Sequence, residues 1–75
     1  VDAFTPAELN ALAALALREG DRRWALFLNG HAREGERCAS YYEMAAKVYG
    51  VCGDTRAKLR CMELLAEMTL EEARS

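Results

Sequence analysis

Apolar residues return every three or four positions along almost the whole chain, and no stretch sustains the two-residue alternation of a half-buried strand. The pattern predicts helices. "FTPAEL" opens the first: Thr5 caps, Pro6 takes the first helical position, and Glu8 stands three residues beyond Thr5 to close a capping box. Phe4 is placed to staple onto Leu9. This helix is expected to run from Pro6 to about Glu19, with Gly20 supplying a left-handed C-terminal turn. Asp21 would cap the next, whose stripe is Trp24, Phe27, Leu28 and His31.

Gly30 and Gly35 place a break after that stripe, since glycine costs about 1 kcal/mol relative to alanine inside a helix. The spacing nevertheless stays in phase across them, which would also suit one rod over residues 22–49. The third stripe, from Glu36 to about Tyr49, is Cys38, Tyr41, Tyr42, Ala45, Val48 and Tyr49, and "GVCGD" stops it. Asp54 or Thr55 caps a fourth helix to about Met68, with Leu59, Met62, Leu65 and Ala66 on one side and Arg56, Arg60, Glu63 and Glu67 on a solvated side. A short turn over residues 69–75 would end the chain.

The expected architecture is therefore all-α: one domain over residues 1–75, with four helices in two antiparallel hairpins, about 6–34 and 36–68. Gly20-Asp21 and Gly53-Asp54 support it because they recur 33 residues apart, each at a predicted corner. Aligned at that offset, residues 11–35 and 44–68 share Ala13/Ala46, Gly20/Gly53, Asp21/Asp54, Arg23/Arg56, Leu26/Leu59 and Glu34/Glu67.

With Leu12, Gly20, Ala25 and Ala32 at fitting spacings, such a unit resembles the tetratricopeptide class of helical-hairpin repeat. The resemblance implies stacked hairpins whose first helices line a peptide-binding surface. An unrelated four-helix bundle using the same corner chemistry is the alternative. A second stretch, "AAKVYGVCGDTRAKL", looks like the helix-turn-helix of bacterial DNA-binding regulators, with Ala46, Gly50, Val51 and Leu59 in the matching places. In that reading the helix from Thr55 enters the major groove and Arg56, Lys58 and Arg60 contact the nucleic acid.

Seventy-five residues bury a limited core. "ALAALAL" has no polar residue for two turns, and a helix apolar all round must be covered on more than one side. A protein partner or a second copy is the expected cover, through Leu12, Leu15, Trp24, Tyr41 and Tyr42. Tyr41 and Tyr42 project about 100° apart on a helix, so one of them is expected at an interface.

The net charge of −2 ranks nucleic acid second to protein as a partner. The longest apolar run has seven residues against the roughly 20 a bilayer requires. Three cysteines, an odd count without close pairs, suggest a reducing, cytoplasmic setting. His31, Cys38, Cys52 and Cys61 lack the close pairs of a structural zinc site, and no metal or other cofactor is expected. With one histidine, no phosphate-binding glycine loop and no nucleophile motif, an enzyme is not expected either.

Overall fold

Thr5 and Glu8 form the capping box. The Thr5 hydroxyl accepts the Glu8 amide at 3.2 Å, and the Glu8 carboxylate accepts the Thr5 amide at 2.8 Å. From this start the computed structural model, which describes residues 4–74, runs without interruption to the end of α1, Pro6–Leu28. The chain does not turn at Gly20-Asp21. Only two further helices are present among the described residues, α2 at Glu34–Cys52 and α3 at Thr55–Arg74, and no strand. Three helices replace the expected four, and the first two expected helices are one.

The true corners are Gly30 and Gly53. Gly30 has φ +101° and Gly53 has φ +80°, a left-handed region that side chains avoid. Each sits in the same hydrogen-bonded ending. His31 donates to the Leu26 carbonyl and Gly30 to Phe27, both at 3.1 Å; Asp54 donates to Tyr49 at 3.0 Å and Gly53 to Gly50 at 3.2 Å. These bonds satisfy carbonyls that a helix end would otherwise leave orphaned. A break therefore does fall within residues 22–49, as the two glycines suggested. Asp54 starts α3, its carboxylate accepting the Ala57 amide at 3.1 Å.

The C-terminal turn is also absent as a separate piece. Thr69 donates its hydroxyl to the Leu65 carbonyl at 2.8 Å, a bond made within the helix, and α3 continues to Arg74.

Packed up, down and up, the helices form a bar of 40 × 17 × 14 Å, with α2 in the middle against both neighbours. One core cluster joins Ala13 and Ala16 of α1 to Ala45 and Tyr49 of α2 and Cys61 of α3. The other joins Cys38 and Tyr42 to Met68, with Trp24, Leu64 and Leu65 partly buried around it. Small residues on α1 let α2 approach closely, since side-chain bulk at the contact sets interhelical distance. Among the described residues no leucine is buried in this core; the interior is alanine, cysteine, tyrosine and methionine.

Candidate interaction surface

The five residues expected at a contact surface divide sharply. Leu12 and Leu15, one turn apart on α1, are 42% and 57% exposed. Trp24 is half-buried, edge-on to Tyr42 with ring centroids 6.1 Å apart. Tyr41 is half-buried too, and the Arg23 guanidinium covers its ring at 5.9 Å from the centroid. Arg23 is held there by Glu34, which accepts from it at 2.9 Å. That bond keeps the Glu34 carboxyl below its ordinary range.

Tyr42 has no accessible surface, so it is interior to the protomer. Its ring lies on Gly20, where an added Cβ would stand 2.7 Å from Cδ1 and Cε1. Its hydroxyl donates to the Asp21 carboxylate at 2.6 Å. Burial, and then this hydrogen bond, raise the Tyr42 phenol above its ordinary value. The neighbouring Cys38 thiol is pushed up to about 11 by burial, and burial raises Cys61 as well. A thiol so shifted stays protonated near neutrality and is a poor nucleophile.

Sequence reasoning missed a second apolar surface. Leu59, Met62 and Ala66, expected on the buried side of the last helix, face outward with Leu70; Leu59 is 52% and Met62 49% exposed. The inward side of α3 is instead Cys61 and Met68, with Ala57, Leu64 and Leu65 partly buried. Thus α3 carries two apolar stripes. The outer one was legible as 59, 62, 66 and 70, spacings of three, four and four, but the pattern alone did not say which stripe faced in.

Beside the outer stripe, between α2 and α3, lies an open groove of about 640 Å³. Ala46, Gly50, Val51, Met62 and Leu65 supply its apolar lining, and Glu43, Lys47 and Lys58 are its polar members. Gly50 keeps the α2 wall low: a Cβ there would already touch the Lys58 side chain at 3.5 Å. No family model, curated protein or solved structure matches the chain.

Of the residues of the nucleic-acid reading, Arg56 and Arg60 stand one turn apart on α3 and Lys58 is turned away from them. Lys58 leans along the groove, and Arg60 lies 3.9 Å from Glu63 on another side of α3. Among the described residues no three His, Cys, Asp or Glu side chains gather as a metal site. No described helix is long and apolar enough to cross a membrane.

Proposed function

We propose that this protein is a non-enzymatic assembly module that associates with a second copy of itself through apolar helix faces. The observation that carries this reading is the placement of the large aliphatic side chains: among the described residues no leucine is buried, while Leu12, Leu15, Leu59, Met62 and Leu70 face solvent. Small domains commonly add oligomerisation to a limited core. Water contact at so many large side chains disfavours the isolated protomer, at about 25 cal/mol for each Å² that a partner would cover.

Native mass measured over a concentration series tests the proposal. A species of twice the 8.4 kDa chain mass should dominate at high concentration and dissociate on dilution. A single 8.4 kDa species at every concentration, with helicity intact, would defeat it. Leu15→Ala reads the part played by the α1 face. Weakened association assigns Leu15 to the contact, and an unchanged dimer removes it from the contact without touching self-association.

A further inference from the structure

We propose that the outer stripe of α3 is the homodimer seam, with the two α3 helices side by side and parallel about a two-fold axis running along them. This rests on the self-association reading and adds a surface and an orientation to it. The stripe is continuous with the α2–α3 groove through Met62, which belongs to both. One patch therefore holds a ridge and a trough, as a self-complementary two-fold contact requires.

Charge decides the orientation. Lys58 lies on the groove flank of the stripe and Glu63 on the far flank, roughly 140° around the helix from each other. Lys58 has no ion pair among the described residues, and Glu63 has only the exposed Arg60 at 3.9 Å. If the helices ran antiparallel, like flanks would meet, so Lys58 of one copy and Glu63 of the other would lie on opposite sides of the seam and could not pair. When they run parallel, opposite flanks meet. Lys58 of one copy then faces Glu63 of the other, five residues on, and the symmetry makes that pair twice.

Sedimentation equilibrium on the full chain tests the seam. Met62→Glu should abolish the dimer while circular dichroism stays helical, because Met62 is already half exposed. Lys58→Glu and Glu63→Lys should each weaken the dimer by roughly tenfold, since each reversal creates two like-charge contacts. The Lys58→Glu/Glu63→Lys double variant should recover the original affinity. Ala73→Cys in a Cys52→Ala background should form a disulfide-linked dimer on oxidation, because parallel helices bring equal positions together.

A dimer that withstands Met62→Glu, or is dispersed by Leu15→Ala and by none of the α3 changes, overturns the seam and leaves self-association standing. Failure of the double swap to recover affinity overturns the parallel orientation. A chain that is monomeric throughout overturns seam and self-association alike.

Discussion

Gly20-Asp21 and Gly53-Asp54 are the same two residues in opposite employment. At Gly53 the chain bends: φ is +80°, nothing lies within 4 Å of where a Cβ would stand, and Asp54 caps the helix that follows. At Gly20 the backbone stays helical, and the missing side chain is what matters. Its place is filled by the Tyr42 ring, and Asp21 takes the hydroxyl of that same tyrosine. One glycine is used for its conformational freedom, the other for its lack of volume. The lesson is that a dipeptide names a capacity, and the tertiary partner selects which capacity is used.

Substitution at Gly20 separates the two roles with the largest effect. Gly20→Ala should gain about 1 kcal/mol of helix propensity but collide with the Tyr42 ring, where overpacking costs about 1–3 kcal/mol. Net destabilisation of up to about 2 kcal/mol is expected in urea unfolding, with a larger loss for Gly20→Val. In a Tyr42→Leu background the collision is relieved, and Gly20→Ala should become stabilising. No such reversal is available at Gly53, because the strain there is in the backbone. Gly20→Ala behaving alike with and without the Tyr42 ring would mean that the ring is not the reason for the glycine.

Alkaline titration sharpens the contrast through the buried groups opposite Gly20. Cys38 rises from an ordinary 9.0 to about 11 when folded. The unfolded chain therefore releases this proton first as pH rises, and stability drains away. The full contribution is present below about pH 9 and is lost by about pH 11, on the order of 2 kcal/mol. Tyr42, also raised, extends the loss above its ordinary value of 10.0. Urea midpoints measured from pH 8 to 11 should fall, and Cys38→Ala should flatten the curve over that interval while lowering stability at pH 8. A flat wild-type profile would show that the thiol ionises freely in the folded state.

Much of the architecture was legible in the order of residues alone. Thr5, Pro6 and Glu8 specify a start by local chemistry, and so does Asp54; neither needs knowledge of distant residues. Gly30 marked the interruption for the same reason, whereas Gly35 lies inside α2, with Glu72 and Phe27 close against it. Gly20 failed because a ring 22 positions later rescues it, and a linear pattern holds no record of that ring. The surface was less readable still. A helix with apolar residues on two sides, such as α3, satisfies the periodicity rule twice, and Cys61 and Met68 rather than Leu59 and Met62 face in only because of what α2 presents. Likewise "ALAALAL" reads as a helix wanting cover all round, yet α2 takes the alanine face at Ala13 and Ala16 and leaves Leu12 and Leu15 outside.

The two aspartates give the smallest and most selective test. Asp54→Ala removes a helix cap and should cost about 1 kcal/mol, most of it recovered by Asp54→Ser because any short oxygen-bearing side chain can accept the Ala57 amide. Asp21→Ala should cost a similar amount, about 1 kcal/mol, by a different route: it strands the Tyr42 hydroxyl. Tyr42→Phe should therefore cancel most of the Asp21→Ala penalty in a double-mutant cycle, while leaving the Asp54→Ala penalty unchanged. If Asp21→Ala were instead additive with Tyr42→Phe and repaired by serine, Asp21 would be acting on the backbone of α1 as Asp54 does on α3. The distinction drawn between the two pairs would then collapse into a single capping role.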